Sequence, residues 1–279
     1  MLRGIDTAAS GMIALQRRQE ALTNNLANIE TPGYKKVDST LRAFPEMLLE
    51  RINDSKNSPN PPGYSWIGSM QLGVYAQENI SSFLQGDLVS TDNPLDVAID
   101  DRALPLQNGQ KPSVFFAVQN AAGEVRYTRN GRFTVDEGGQ IRTTEGNLLL
   151  NQAGQSISAS ADLAGGEVSI NPKGEIILFP DDPAKRQVLD QIGLVLINNP
   201  NDLIKEGNGT FRLEGDTPAL LAELPAGVTL HHKTIEKSNV DPTMTMTSMM
   251  ENVRLYEANQ KVLQAYDRSL ELLNSIGRV

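Results

Sequence analysis

Both ends of the 279-residue chain carry one pattern, apolar side chains spaced alternately three and four residues apart. From the N-terminus the series is Ile5, Ala8, Met12, Leu15, Gln19, Leu22, Leu26 and Ile29, a heptad seam with one polar interruption at Gln19. A helix over that span is about 36 Å long. It stops at Thr31-Pro32-Gly33, where proline holds Thr31 extended and cannot itself continue a helix. At the other end Asp241-Pro242 reads as an N-cap and first helical position, and the helix runs towards Ile276 with Gly277 as its stop. Its stripe is Met249, Val253, Tyr256, Leu263, Tyr266, Leu270 and Leu273. Seams this narrow fit a coiled-coil partner better than a broad core, although packing onto the chain's own core is the alternative that periodicity alone leaves open.

Between the helices the pattern changes to short strands and turns. Asn130-Gly131, flanked by Tyr127-Thr128-Arg129 and Arg132-Phe133-Thr134-Val135, predicts a type I′ hairpin. Glu137-Gly138-Gly139 predicts the next turn, followed by a strand over 140–144; further strands are expected at 168–170, 175–179 and 191–197, with Asn171-Pro172-Lys173-Gly174 joining the first two. Residues 53–68, rich in Pro and Asn, resist both helix and ladder. The expected fold is α+β, with long terminal helices forming a coiled-coil domain (1–36 plus 241–279) and a central all-β domain (72–235) inserted between them. Residues 37–71 are the expected connector or loop, and 236–240 the return linker.

Composition removes most catalytic chemistry. There is no Cys, which excludes disulfides, thiolate metal sites and thiol nucleophiles, and the two histidines, His231 and His232, point to opposite sides of a strand and do not share a metal. No phosphate-cradling, dinucleotide or nucleophile-elbow motif is present. Asp92, Asp96, Asp100 and Asp101 cluster, as do Asp181 and Asp182, but the first group lacks the ligand order of a calcium loop, so a solvated acidic face is expected. The net charge of −9 divides into +2 on 1–36 and zero on 249–279, which leaves −11 on the middle. An acidic middle without basic stripes argues against nucleic acid. The apolar runs are too short for a membrane span, and the polar N-terminus lacks the apolar stretch of a cleavable secretion signal. No catalytic, cofactor-binding or metal-binding residue is assigned.

The residues then resemble a known family. Ser10-Gly11-Met12 and the long run from Asn24 to Lys35 (Asn24-Asn25-Leu26-Ala27-Asn28-Ile29-Glu30-Thr31-Pro32-Gly33-Tyr34-Lys35) look like the signature helix and exit turn of the bacterial flagellar rod and hook-basal body axial proteins. The segment from Gln85 to Ile99, the Tyr127–Phe133 stretch, Ser238-Asn239-Val240-Asp241 and the Arg254–Lys261 stretch follow in that family's order. The resemblance implies a non-enzymatic structural subunit, without cofactor, whose terminal helices form an inner tube and whose β domain lies outside it. Many copies, with other rod and hook axial proteins, would stack into a hollow shaft after leaving the cell through the flagellar type III export apparatus, which places the subunit in the basal body. Length and the single β region resemble distal-rod-like members. The departure from the family pattern over Asp100–Pro112, before Val114-Phe115-Phe116, resembles an additional rod-type branch of Gram-positive bacteria.

The expected assembly seam is Ile5, Met12, Leu15, Leu22, Leu26, Ile29 and the seven residues of the C-terminal stripe; Asn25, Asn28, Thr31, Pro32, Gly33 and Tyr34 are expected to set how the helix exits towards the β domain. Ordering of the helices is expected only on assembly, since two seams gain little against backbone entropy of about 1–2 kcal/mol per residue. The alternative reading is a secreted β-rich carbohydrate- or calcium-binding protein that uses the acidic patch.

Overall fold

A computed structural model of the chain describes residues 2–52, 64–71, 73–107, 109–158, 168–180, 184–213, 220–221 and 224–276. The Pro- and Asn-rich run 53–63 and the pair Asp181-Asp182 lie outside these. The chain divides into two compact units, one built from 1–26, 37–80 and 242–279, the other from 27–36 and 81–241.

The first unit holds both long helices and four strands: α1 (Leu2–Ala27), β1 (Val37–Ala43), β2 (Met47–Ile52), β3 (Tyr64–Met70), β4 (Val74–Ser81) and α2 (Pro242–Ile276). Both terminal helices are therefore present, and α2 begins at the proline that the Asp241-Pro242 pair predicts. Strand β1 pairs with β4, and β2 with β3 in an antiparallel hairpin from Met47↔Met70 to Ile52↔Tyr64. Residues 37–71, expected as a connector, thus contain three strands. They group with the helices because Val37 of β1 is anchored to α1.

The second unit is all β: β5 (Leu88–Ser90), β6 (Val97–Asp100), β7 (Ser113–Gln119), β8 (Val125–Thr128), β9 (Phe133–Val135), β10 (Ile141–Thr143), β11 (Leu148–Leu149), β12 (Val168–Ile170), β13 (Glu175–Leu178), β14 (Gln187–Gln191), β15 (Leu194–Ile197), β16 (Leu203–Lys205), β17 (Thr210–Leu213), β18 (Thr229–His232) and β19 (Thr234–Glu236). Its main sheet runs β16-β17-β8-β7-β11-β10-β9, with β15 also on β7. Strand β7 is buried on both faces: Val114, Phe116 and Val118 enter one apolar cluster, Phe115 and Ala117 the other, as the two-residue period of a strand requires. Strands β12, β13 and β14 form a second sheet. The antiparallel pairs β5–β19 and β6–β18 bring the first strands of the unit beside its last, so the chain enters and leaves at one place.

The hairpin expected at Asn130-Gly131 does not form. Strand β8 pairs with β7 and β17, and β9 with β10, so the dipeptide links strands that are not neighbours. Neither residue takes the positive φ of a type I′ turn. Gly131 is required by close approach instead: a Cβ there would collide with the Val97 carbonyl, and the Gly131 carbonyl accepts the Val97 N–H at 3.0 Å. The expected strand over 191–197 is split between the end of β14 and β15, with Gly193 between them against the backbone of Leu150 and Asn151.

Candidate assembly site

The helices α1 and α2 pack antiparallel. Gly4 lies against Tyr266, Gly11 against Asn259, and Asn252 Nδ2 donates to the Leu15 carbonyl at 2.9 Å and to Gln19 Oε1 at 2.8 Å. Tyr266, Asn259, Asn252 and the buried Thr245 are spaced seven residues apart, the heptad interval, yet the α2 side of the contact is polar. On α1 the approach is made by Gly4, Ala8 and Gly11, whose small size brings the two backbones close.

Among the expected seam residues, Leu15 is buried; Ile5, Met12, Leu22, Leu26 and Ile29 are half-buried, Ile29 lying just past the end of α1. On α2, Met249, Leu263 and Tyr266 are half-buried, whereas Val253, Tyr256, Leu270 and Leu273 are exposed. Periodicity could not choose among stripes only about 100° apart around a helix.

Asn25 is fully buried, and its side chain copies a strand partner, with Nδ2 donating to the Val37 carbonyl at 2.7 Å and Oδ1 accepting the Val37 N–H at 2.9 Å. An amide side chain offers a donor and an acceptor on two adjacent atoms, as a neighbouring strand's backbone does. Beyond α1, Thr31 donates its N–H and its hydroxyl to the carbonyl and Oδ1 of Asn28, each at 3.3 Å, and Pro32 leads into Gly33 at φ +68°. Gly33 donates its N–H to the Glu236 carbonyl at 2.8 Å, and a Cβ on it would strike the Arg129-Asn130 backbone. Asn239 completes the clasp: Oδ1 accepts the Lys36 N–H at 2.7 Å, while Nδ2 donates to the carbonyls of Ser82 (2.8 Å) and Leu84 (2.9 Å).

Beneath this clasp lies a buried quartet of charges that sequence reading missed. Lys35 Nζ pairs with Glu236 Oε1 at 2.7 Å, Arg129 Nε with Glu236 Oε2 at 3.0 Å, and Arg129 Nη1 with Asp101 Oδ2 at 2.9 Å. The Gly86 N–H adds a bond to Glu236 Oε1 at 2.9 Å, and the Val114 N–H one to Asp101 Oδ2 at 3.3 Å. Two cations and two anions sum to zero, which is what burial of four ionised groups requires. Burial works to raise the Glu236 pKa, but Arg129 and Lys35 outweigh it and hold the carboxylate below its ordinary value. Burial and the neighbouring Arg129 push the Lys35 pKa down to about 8, because Lys35 shares its anion with a second cation. The one available signal was that Lys35, Gly86 and Arg129 fall within the family-like stretches and Glu236 lies just before another, with no pattern showing that they meet.

Beside the quartet, Lys205 Nζ stands 3.7 Å from the centre of the Tyr34 ring and has no hydrogen-bond acceptor among the described residues. Burial alone pushes the Lys205 pKa down to about 8 and that of Tyr34 up to about 12.

The acidic cluster is not the solvated face expected. Asp92 is exposed, but Asp101 belongs to the quartet, and buried Asp96 accepts the Thr91 hydroxyl at 2.8 Å and Asn93 Nδ2 at 2.7 Å. These acceptors are spent on holding turns. His232 Nε2 lies 2.8 Å from the Pro94 carbonyl while His231 is exposed, as alternation along β18 demands. Among the described residues no three His, Cys, Asp or Glu side chains are placed to hold a metal, and no helix is long and apolar enough to cross a membrane.

Comparison with known proteins covers the elements that build this site. Residues 5–35 match the model for flagella basal body rod proteins, 113–178 that for the flagellar hook protein FlgE/F/G D1 domain, and 232–276 that for the C-terminal region of flagellar basal body rod FlgEFG proteins. The chain is 37% identical to the flagellar hook-basal body complex protein FlhO of Bacillus subtilis over 100% of both chains. It is 29% identical to the flagellar basal-body rod protein FlgG of Caulobacter vibrioides, covering 99% of each, and 27% identical to the FlhP protein of Bacillus subtilis, covering 99% of this chain and 100% of the relative. With both terminal helices, the exit turn and the β domain accounted for in order, the chain belongs to the flagellar basal-body rod and hook-basal body protein family.

Proposed function

We propose that this chain is a structural subunit of the flagellar basal-body rod, which assembles helically with copies of itself and with other axial proteins into a hollow shaft that transmits torque. Its role is architectural rather than catalytic. The observation that carries the reading is the end-to-end similarity to FlhO, which includes both terminal helices and the turn that joins the first of them to the β domain. The paired helices α1 and α2 are the assembly module. The Asn25-to-Tyr34 stretch shapes the chain where α1 ends, and the Asn239 clasp shapes it just before α2 begins. Export through the flagellar type III apparatus and residence in the basal body follow from that role.

The test is complementation of an in-frame deletion in the source organism, scored by motility and by electron microscopy of isolated basal bodies. The intact chain is expected to restore motility. A chain lacking 249–279, or one carrying Pro32→Ala with Gly33→Ala, is expected to leave rods incomplete. Normal motility with either variant overturns the proposal.

A further inference from the structure

The contact between α1 and α2 contains one group that costs stability where it stands. Asn252 is 2% exposed, and its Oδ1 has no hydrogen-bond partner. A buried acceptor left unpaired is unfavourable, and an apolar side chain there would not incur that loss. On the same helix Leu255, Val262 and Leu272 stay in water. Burial of apolar surface therefore does not explain an asparagine at this position.

The donor side of the same amide makes two bonds that differ in what they select. Nδ2 donates to the Leu15 carbonyl at 2.9 Å and to Gln19 Oε1 at 2.8 Å. Backbone carbonyls recur in every turn of α1, so the first bond is available wherever Asn252 is set down. The second needs a side-chain acceptor, and Gln19 is the polar interruption in the α1 series. Both helices repeat at the heptad interval, Gly4 and Gly11 on α1 and Thr245, Asn252, Asn259 and Tyr266 on α2, so alignments one heptad apart present similar shapes. Moving α2 by a heptad replaces Leu15 and Gln19 with Ala8 and Met12 in one direction, or with Leu22 and Leu26 in the other. None of these four has a side-chain oxygen or nitrogen, and Asn252 loses the bond that only Gln19 supplies.

We propose that Asn252, acting through Gln19, fixes the lengthwise alignment of α1 and α2, a specificity-determining pair kept at a cost in stability. A single buried asparagine sets register in two-stranded coiled coils by the same means. The role belongs to the chain's own helix pair and holds for a lone copy as for an assembled one. In an assembly it makes every copy present the same surface, which repeating contacts require. The rival cause is the chain that joins each helix to the β unit, which restrains their alignment without any side chain.

The absence of native cysteine lets disulfide capture read the alignment in dilute full-length chains, scoring only bonds within one copy. Gly11→Cys with Asn259→Cys joins facing positions, since a Cβ on Gly11 lies 3.7 Å from Asn259 Cγ. Gly4→Cys or Arg18→Cys, each with Asn259→Cys, reports the alignments one heptad to either side. The facing pair is expected to exceed each shifted pair by about ten-fold or more. Asn252→Val should cut that excess to about three-fold or less with helicity kept, and Gln19→Leu should cut it as well. Gln19→Glu, which retains an acceptor, should preserve it. An excess unchanged in either apolar variant overturns the inference and leaves the alignment to the joining chain. Loss of helicity together with all three disulfides in Asn252→Val overturns it too, because the amide then braces the pair rather than aligning it. So does a parent chain that forms no disulfide between the facing positions. The assembly reading is decided separately, by complementation.

Discussion

Gly33 and Gly4 are both crowded glycines, and the neighbours that crowd them give opposite predictions. A Cβ at Gly33 meets the rigid backbone of Arg129 and Asn130 while φ is +68°, so Gly33→Ala should cost about 2–4 kcal/mol in denaturant unfolding of the β unit. At Gly4 the obstacle is the end of the Tyr266 side chain, which can swing aside, and alanine favours the helix by about 1 kcal/mol. Gly4→Ala should therefore lie within about 1 kcal/mol of wild type. Equal losses at both sites would contradict this account. The buried cations predict an unusual pH response. Folded Lys35 and Lys205 release their protons near pH 8, whereas unfolded lysine holds its proton to about 10.4, so the unfolded state binds more protons between those values and stability rises with pH there. Above pH about 10 the sign reverses, because unfolded tyrosine ionises while Tyr34 keeps its proton to about 12. Urea titrations at pH 7.5 and 9.5 should differ by on the order of 1 kcal/mol in favour of the higher pH, allowing for screening at half-buried Lys205. Lys205→Met should reduce the difference.

At the scale of elements, the same residue patterns were read well in one respect and poorly in another. The start of α2 at Pro242 was legible because proline and capping chemistry act over two or three residues, whereas α1 ends at Ala27, ahead of the expected stop at Thr31-Pro32-Gly33, and the expected stop at Gly277 lies outside the described residues. Which side chains make the contact was legible only in part: Ala8, Leu15, Gln19 and Tyr266 of the two series lie at it, but Gly4, Gly11, Asn252 and Asn259, outside the series, make it as well. Asn130-Gly131 misled for a related reason. It satisfies the local rule for a hairpin, but β8 gains more by pairing with β7 and β17, so the glycine serves close packing on Val97. Asn25 joins elements by imitating a ladder partner for Val37. Asn25→Leu should leave that N–H and carbonyl unpaired and cost about 1–3 kcal/mol, seen as faster hydrogen exchange at Val37 and a lower melting temperature. Unchanged protection at Val37 would count against the role.

On the scale of the whole molecule, the two units differ in what holds them together. The β unit has a two-faced apolar core around β7 and a neutral buried quartet beneath its clasp. The helix pair is joined by small and polar side chains, and much of its apolar surface stays in water. Limited proteolysis of the dilute chain should therefore cut within 1–26 and 242–276 well before 88–213, and assembly should protect the helices. Cleavage that starts in the β unit would contradict this. The segment 100–112, which departs from the family pattern, is not an idle insertion, because it supplies Asp101 to Arg129.

The sequence by itself determined that two long helices flank a β-rich middle, that the second begins at Pro242, and that their period is the heptad one. These are consequences of backbone sterics and of residues a few positions apart. Only the tertiary structure decided that Lys35, Asp101, Arg129 and Glu236 share one buried site, that Asp96 and Asp101 leave the acidic face, and that much of the apolar surface of α2 stays exposed. Those outcomes depend on competition for burial between groups up to 201 positions apart, as Lys35 and Glu236 are, and nothing in the local order of residues encodes which competitor wins.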